Sequence, residues 1–330
     1  MTPSNNENDL PDFGILEQAA SWFAHMQSNE VTDDDHQRFQ AWLAEAKAHQ
    51  YAWHYVEKVS QRFSVLHQDK QADNASNTLT QLQQKTQARR SVIRSILLAA
   101  VVGGTGLMAW QYTPLPLMAR AWRADYRTGI GEQKEVVLAD GSHIWLNTET
   151  AINIGYNKQQ RHIMLIQGEI LINTAQDRHQ RAFLVSSQHG VMQALGTRFN
   201  VYQSTQKTRL AVYEGRVAVN TKTQQHTLTA GKQVIFNDTD ELQLSTANTQ
   251  HSAWVKGVIV ADQMTLGELI NELSRYHYGY LGVSPEVSAL PVVGSFPTND
   301  KERVLSMLTA SLPVKIRSIS PWWVSILPAD

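Results

Sequence analysis

The sequence predicts a multidomain chain with a small α-helical N-terminal domain, a single transmembrane helix, an all-β antiparallel domain and a small α+β C-terminal domain. Three features of the 330 residues support this architecture. Charge is distributed unevenly, and a long uncharged apolar stretch interrupts the chain. The hydrophobic period also changes, from about 3.6 residues before that stretch to 2 after it.

Charge divides the chain into three segments. Residues 1–88 carry 6 basic and 12 acidic side chains, residues 89–127 carry 6 and 1, and residues 128–330 carry 17 of each. The net charge of −1 excludes nucleic-acid binding through bulk positive charge. Cysteine does not occur, which excludes disulfides, cysteine-based zinc sites and thiol nucleophiles but leaves the redox compartment open.

Residues 1–66 are predicted to form a cytoplasmic helical domain of three or four short helices. Thr32 precedes three aspartates, which favours a helix start because the hydroxyl caps the first turn and carboxylates stabilise its positive end. The aromatic residues of the expected core are Trp22, Trp42 and Trp53. The acidic surface fits docking to a basic protein, and a merely solvated surface is the alternative.

Residues 67–94 are predicted to be a linker and residues 95–117 a transmembrane helix. No charge occurs from Ser95 to Ala119. As a helix, this stretch rises about 33 Å up to Leu117, enough to span a hydrocarbon core of about 30 Å. A buried core helix is the alternative, although such a helix is expected to carry a polar face, which this stretch lacks.

Basic residues flank the predicted span on both sides, and their distribution slightly favours a cytoplasmic N-terminus. The pair Arg89-Arg90 also resembles a twin-arginine export signal, which would export the C-terminal part already folded. Ordinary anchor charges explain the same residues equally well. We expect an uncleaved, single-pass protein of the bacterial inner membrane with its C-terminal part in the periplasm.

Residues 118–245 are predicted to form the all-β antiparallel domain, a sandwich or a roll. No proline occurs between Leu117 and Ser284, and short alternating segments are separated by turn dipeptides. Asp140-Gly141 is expected to form a two-residue primed turn, because glycine adopts positive φ at low cost. Gln167-Gly168 is likewise expected to be a turn between two strands.

Residues 250–330 are predicted to form an α+β domain that repeats a βαβ pattern twice. Thr265 and Glu268 have the spacing of a capping box, which opens a helix after a short apolar strand. A second helix is expected from Asp300 to Ala310, followed by two strands. The short edge strands of this domain could accept an added strand from a partner.

The sequence contains no nucleotide-binding glycine loop, zinc-protease motif, EF-hand loop or serine-hydrolase elbow. Its 12 histidines are scattered, and no pair of carboxylates has a catalytic context. We therefore expect no cofactor, no metal site and no turnover of a small molecule. An enzyme is the least favoured class, because no nucleophile, base or metal set converges.

Four ordered blocks of the sequence resemble the FecR family, which are membrane-spanning regulators of extracytoplasmic-function sigma factors. The blocks are Thr128–Glu132, Val137–Asn147, Arg161–Glu169 and Ala194–Val201. The resemblance extends to both ends of the chain. Residues 173–181 depart from it, because Ala182-Phe183 follows where the family usually has Pro-Phe.

The resemblance implies a signal relay, most often in the regulation of iron-siderophore uptake. In the cytoplasm, the helical domain would bind an extracytoplasmic-function sigma factor through Trp22, Phe39, Trp42 and Leu43. In the periplasm, the C-terminal domain is similar to the STN module that precedes secretins and TonB-dependent receptors. It would bind the N-terminal signalling domain of such an outer-membrane receptor through Leu266, Leu269, Leu273, Tyr276 and Phe296.

Some family members cleave themselves at a Gly-Thr bond that matches Gly196-Thr197. The Thr197 hydroxyl would attack the Gly196 carbonyl, in an N→O acyl shift to an ester that water then cleaves. A tight turn permitted by Gly196 is the alternative. Later cleavage within the span by site proteases would release the helical domain with its sigma factor.

A membrane-anchored module that binds glycan or another envelope component, without a sigma factor, is the second functional interpretation. Copurification with a sigma factor separates the two. The sequence leaves open whether the helical domain inhibits or activates its sigma factor, and which ligand induces the response.

Overall fold

A computed structural model describes residues 11–28, 31–75, 121, 124–194, 196–239 and 241–329, and side chains for all of these except 64–75. Helical, all-β and α+β parts follow one another in the predicted order. The predicted span and most of the predicted linker lie outside the described residues. Within the described residues, no helix is long and apolar enough to cross a membrane.

Three helices form the N-terminal helical unit: α1 (Phe13–Met26), α2 (Asp33–Glu45) and α3 (Lys47–Ala75). The predicted start of α2 is confirmed, since the Asp35 N–H donates to Thr32 Oγ1 at 3.2 Å and the Thr32 N–H donates to the Asp35 carboxylate at 3.0 Å. These bonds hold the pKa of Asp35 well below its usual range. Helix α3 continues past the predicted boundary at residue 66, so the segment expected to be a linker begins as helix.

Thirteen strands form the β domain. In chain order they are β1 (Tyr126–Arg127), β2 (Lys134–Val137), β3 (His143–Leu146), β4 (Ala151–Tyr156), β5 (Gln160–Asn173), β6 (Ala182–Ser187), β7 (Gly190–Ala194), β8 (Arg198–Gln203), β9 (Lys207–Glu214), β10 (Arg216–Asn220), β11 (Gln225–Thr229), β12 (Lys232–Asn237) and β13 (Leu242–Thr246).

The main strand order of this domain is β11-β10-β7-β6-β5-β8-β9-β12-β13. Strand β4 also pairs with the first half of β5 and β3 with its second half, while β1 pairs with β4 and β2 with β3. The β5–β6 pair is parallel, in contrast to the antiparallel pairing predicted throughout. Apolar side chains from both halves of this arrangement meet in one buried core, and the connected 13-stranded sheet curves around it as a half-barrel, in place of the predicted sandwich or roll.

Strand β5 is the centre of the domain, because it crosses from one half of the sheet to the other. Gly168 lies at the crossing with a φ of +90°. The turn predicted at Gln167-Gly168 is therefore wrong, because the glycine bends one continuous strand and does not reverse it. A Cβ on Gly168 would lie 2.3 Å from Thr150 Oγ1, so the two backbone segments are too close for any other residue.

The second half of β5 is buried on both faces. Ile170 and Ile172 belong to the core of the β domain, whereas Leu171 belongs to the core of the C-terminal domain. All three side chains are fully buried. This burial on both faces explains why the three residues are all apolar. In a strand with one exposed face, apolar and polar residues would alternate.

The connection between β2 and β3 also differs from the prediction. The Gly141 N–H donates to the Leu138 carbonyl at 2.9 Å, and only Gly141 of this connection has a positive φ, at +84°. This is a type I turn followed by a left-handed glycine, and not a primed turn of two residues. The Asp140 carboxylate instead accepts hydrogen bonds from Ser142 Oγ at 2.7 Å and Arg161 Nη1 at 2.6 Å.

The C-terminal domain has the predicted α+β order. Its elements are a 3₁₀ helix (Thr249–Lys256), β14 (Val258–Thr265), α4 (Leu266–Ser274), β15 (Tyr280–Val283), α5 (Pro285–Ser288), β16 (Pro291–Pro297), α6 (Lys301–Ser311), β17 (Val314–Ser320) and β18 (Trp323–Pro328). Strands β14 and β16 pair antiparallel, and β18 lies between parallel β15 and antiparallel β17. The capping box of α4 is confirmed, with the Thr265 N–H donating to Glu268 Oε2 at 2.8 Å.

Gly168→Ala is expected to lower the free energy of unfolding of the full chain by about 3 kcal/mol or more, because positive φ and overlap with Thr150 both disfavour alanine. Gly231→Ala is the matched control, since Gly231 has a φ of +78° and nothing within 4 Å of an added Cβ. It should lose only the backbone contribution of about 1 to 2 kcal/mol. Denaturant unfolding measures both, and equal losses would contradict the close approach at Thr150.

Candidate functional site

Three of the four residues predicted to contact a sigma factor, Trp22, Phe39 and Trp42, belong to one aromatic cluster on the helical unit. The ring of Phe39 lies 5.6 Å from Trp22, 6.3 Å from Trp42 and 4.5 Å from Trp53, measured between ring centroids. Phe39 is only 6% exposed, so it supports the cluster and has little surface for a partner. Trp22, Trp42 and Leu43 are half-buried and retain accessible surface.

Trp42 is held in a fixed orientation. Its Nε1 donates to Gln18 Oε1 at 2.9 Å, and its ring stacks on His49 with centroids 4.5 Å apart and planes 6° apart. His49 Nδ1 lies 2.7 Å from the Trp42 carbonyl oxygen and must be the donor there, because a carbonyl only accepts. A rigid, partly exposed indole of this kind is a suitable anchor for a protein partner.

The residues predicted to contact a receptor lie inside the C-terminal domain. Their exposed fractions are 4% or less for Leu266, Leu269, Leu273, Tyr276 and Phe296. A contact through these side chains is not available in this fold, because they form the core of the domain. The three leucines are spaced so that they lie on one face of α4, and this face points into the core of the domain.

A buried carboxylate joins the β domain to the C-terminal domain. Glu169, directly after the glycine of the β5 crossing, is 1% exposed. Within the β domain it accepts hydrogen bonds from Asn147 Nδ2 at 2.9 Å and Asn200 Nδ2 at 2.8 Å. Arg275, just after α4 in the C-terminal domain, donates to it from Nη2 at 2.7 Å, and Arg209 donates from Nη2 at 3.3 Å.

The electrostatics of this cluster keep Glu169 ionised. Burial alone would raise its pKa, but the charges of Arg275 and Arg209 outweigh burial and lower the pKa to about 2. Burial likewise disfavours the charged form of Arg275, yet the neighbouring carboxylates of Glu169 and Glu272 raise its pKa. The pair is therefore a charge-assisted bond at physiological pH.

Further contacts fix the end of α4 against the β domain. Asn147 Nδ2 donates to Tyr276 Oη at 2.8 Å, and Thr148 Oγ1 donates to the Arg275 carbonyl at 2.9 Å. A Cβ on Gly131 would lie 2.8 Å from the Tyr276 carbonyl oxygen, so glycine permits the close approach. Sequence reasoning missed this cluster, because Glu169 and Arg275 are 106 positions apart and neither has a local signal.

The helical unit contacts the C-terminal domain through Glu17 on α1. Glu17 Oε1 accepts hydrogen bonds from Trp323 Nε1 at 2.9 Å and from Ser325 Oγ. Arg317 Nη1 lies 3.5 Å from Oε2. This contact was also missed, since Glu17 and Trp323 are 306 positions apart.

The Gly196-Thr197 bond lies in the connection between β7 and β8. Gly196 has a φ of +72°, which glycine adopts without strain. Thr197 is 4% exposed, and its N–H donates to Thr174 Oγ1 at 2.8 Å. Among the described residues, its hydroxyl has no hydrogen-bond partner. No side chain of the described residues therefore accepts the proton of the hydroxyl that self-cleavage would use as its nucleophile.

The described part of the chain holds no group of three or more His, Asp or Glu side chains arranged for a metal ion. Around Glu169 the carboxylates are paired with arginines, so that cluster offers no free ligand.

Glu169→Gln is expected to lower the free energy of unfolding at pH 7 by about 3 kcal/mol, because it removes the buried counter-charge of two arginines. The folded pKa of about 2 lies below the unfolded value of about 4.3, so the advantage of Glu169 is complete above pH 4.3 and falls as the pH approaches 2. Denaturant titrations of the full chain at pH 7, 4 and 3 measure this. The exposed Glu286→Gln serves as control, and a difference from wild type that is independent of pH would contradict the assignment.

Two parts of the chain match known families. Residues 124–218 match the family described as FecR protein, and residues 17–59 match the family described as Domain of unknown function (DUF4880). A comparison with curated protein sequences found no match.

The fold is similar to that of a candidate anti-sigma factor from Parabacteroides distasonis ATCC 8503, seen in crystal structures at 1.65 Å and 2.50 Å resolution. In both comparisons the TM-score is 0.52 and the sequence identity 23%. The similarity covers 62% of this chain and 99% or 98% of the other. At this identity the comparison establishes a shared fold. The two sequence matches identify a FecR domain at residues 124–218, preceded by a DUF4880 domain at residues 17–59.

Proposed function

We propose that this protein is an anti-sigma factor or sigma-factor regulator whose helical unit binds an extracytoplasmic-function sigma factor. The observation that carries the proposal is the order of a DUF4880 and a FecR domain in a chain that shares its fold with a candidate anti-sigma factor. The helical unit supports it, because half-exposed Trp22 and Trp42 flank a rigid aromatic core. Its acidic surface suits a basic partner.

We further propose that residues 95–117 cross the inner membrane once. The helical unit would then be cytoplasmic, and the β and C-terminal domains periplasmic. The uncharged stretch from Ser95 to Ala119 supports this topology. That stretch lies outside the described residues.

In the periplasm, the β and C-terminal domains would act as one body that receives the signalling domain of a TonB-dependent outer-membrane receptor, in the regulation of iron-siderophore uptake. The buried Glu169–Arg275 pair and the shared burial of β5 support a single body. Because the five residues first predicted are buried, the contact has to use surface side chains. Val293 on β16, which is apolar and 79% exposed, is one candidate.

Self-cleavage at Gly196-Thr197 is a further part of the proposal. The Thr197 Oγ1–Gly196 carbon bond forms as the amide C–N bond breaks, and the hydroxyl proton moves to the nitrogen. Water then hydrolyses the ester to a Gly196 carboxylate and a free Thr197 hydroxyl. The two fragments would stay together through the β5–β8 and β7–β10 ladders.

Trp42→Ala is expected to weaken capture of the sigma factor at least about tenfold, because aromatic anchors dominate protein interfaces. The full chain, purified from membranes in detergent, is incubated with each extracytoplasmic-function sigma factor of its source organism. Tyr51→Ala, which removes an aromatic side chain 48% exposed on α3 that is not among the predicted sigma-factor contacts, is the matched control and should bind as wild type. If wild type captures no sigma factor, the binding proposal fails and the envelope-binding interpretation is favoured.

A wild-type preparation is expected to contain a fragment that ends at Gly196, which mass spectrometry of membrane-extracted protein can identify. Thr197→Ala removes the nucleophile and should abolish the fragment, whereas Thr197→Ser keeps a hydroxyl and should retain it. Only intact chains in wild type, or the same fragment in Thr197→Ala, would show that the bond is not cleaved by this route.

A further inference from the structure

The contact between α1 and the C-terminal domain joins two parts that the proposed function places on opposite sides of a membrane. Glu17 is the polar centre of this contact, with a side chain 10% exposed. Removing a carboxylate from water is costly unless donors replace the water. Here the indole of Trp323 and the hydroxyl of Ser325, both from the C-terminal domain, donate to Oε1. Oε2 accepts no hydrogen bond from the described residues, and the charge of Arg317, with Nη1 3.5 Å away, is what offsets its burial.

Apolar side chains complete the contact around Glu17. Trp323 is fully buried in one cluster with residues of α1 and α3, namely Leu16, Ala19, Ala20, Ala52 and Val56. At the margin, Phe23 meets Trp322 edge-on with ring centroids 5.3 Å apart, and Tyr55 meets Tyr280 at 6.3 Å. The small side chains of α1 are what allow an indole to pack closely on this face.

Separation of the two parts would expose the α1 side of the contact. Without the C-terminal domain, Phe23 would lose its contact with Trp322, and the nearby Glu17 carboxylate would lose both of its hydrogen bonds. The apolar cluster that α1 shares with Trp323 would also lose that indole. A contiguous patch of this kind on a soluble unit marks a site for a partner. The patch adjoins the aromatic cluster, because Trp22 and Glu17 line the same groove of about 500 Å³.

We propose that the C-terminal domain covers this α1 face while both lie in the cytoplasm, and that membrane insertion separates them and frees the face for the sigma factor. The inference rests on the proposed single-span topology and sigma-factor binding. Export of a folded C-terminal part through the twin-arginine route, suggested by Arg89-Arg90, would allow the covered state to form before export. In a chain that has not reached the membrane, the α1 face around Glu17 and Phe23 would then be unavailable to the sigma factor, whereas Trp42 would stay accessible.

The absence of native cysteine makes the contact directly measurable by cross-linking. The test variant is Phe23→Cys with Trp322→Cys. In the native chain the centroids of these two rings are 5.3 Å apart across the contact. The matched control is Phe23→Cys with Trp53→Cys. The native rings at these positions have centroids 5.5 Å apart within the helical unit. The full chain is synthesised in vitro, with and without inner-membrane vesicles, and treated with a short bis-maleimide.

Without vesicles, both pairs are expected to cross-link within one chain. In the membrane-inserted fraction, only the control pair is expected to react. Adding Glu17→Lys should reduce the test cross-link at least fivefold without vesicles and leave the control unchanged, because the substitution places two cations together at the contact. This third variant separates a specific contact from chance collision.

Failure of the test pair to react without vesicles, while the control reacts, would overturn the covered state and leave the proposed function standing. Insensitivity of the test cross-link to Glu17→Lys would overturn it as well. A test cross-link as strong in the inserted chain as in the free chain would overturn the separation, and with it the single-span topology of the proposed function.

Discussion

The folded chain depends most on one buried charge, the carboxylate of Glu169. A carboxylate that is 1% exposed is tolerated only where several donors replace its water, and here those donors come from two domains. The β domain supplies Asn147, Asn200 and Arg209, and the C-terminal domain adds Arg275. The two domains therefore stabilise one another, and a change in the position of α4 is felt at the centre of β5.

The position of Glu169 follows from the glycine before it. Gly168 lets β5 pass within a few ångströms of Thr150 and change partners, which directs the next side chain to the boundary between the domains. Leu171 extends the same boundary with apolar surface, since it belongs to the core of the C-terminal domain. In the proposed relay, the joined domains would move as one body, because the contacts between them are packed and hydrogen-bonded.

Local patterns predicted the elements well, but they did not reveal contacts between distant residues. The caps at Thr32 and Thr265 act within four residues, and the period of two in the β domain reflects one buried face, so both could be read directly. A glycine with positive φ occurs both where a strand bends and where the chain reverses in a turn, and the sequence around Gly168 does not distinguish the two. The leucines of α4 show the same limit, because an apolar helical stripe is compatible with a core or with an interface.

The candidate sites were predictable to different degrees. Trp22 and Trp42 are partly exposed and lie in one aromatic cluster with Phe39, and their contact with a sigma factor stays a prediction. Phe39 and the receptor set are buried, which depends on tertiary packing that no local window contains. Glu17 lacked any signal, because its partners lie at the other end of the chain.

Strand β5 also limits how this chain can vary in length during evolution. Its last residues alternate between two cores, so inserting one residue after Gly168 would turn Ile170 and Ile172 out of the first and Leu171 out of the second in a single event. A compensating change elsewhere could restore one register but not the other. Insertions are accommodated far more readily in exposed connections such as residues 221–224, whereas the spacing from Gly168 to Asn173 is constrained wherever the two domains stay joined.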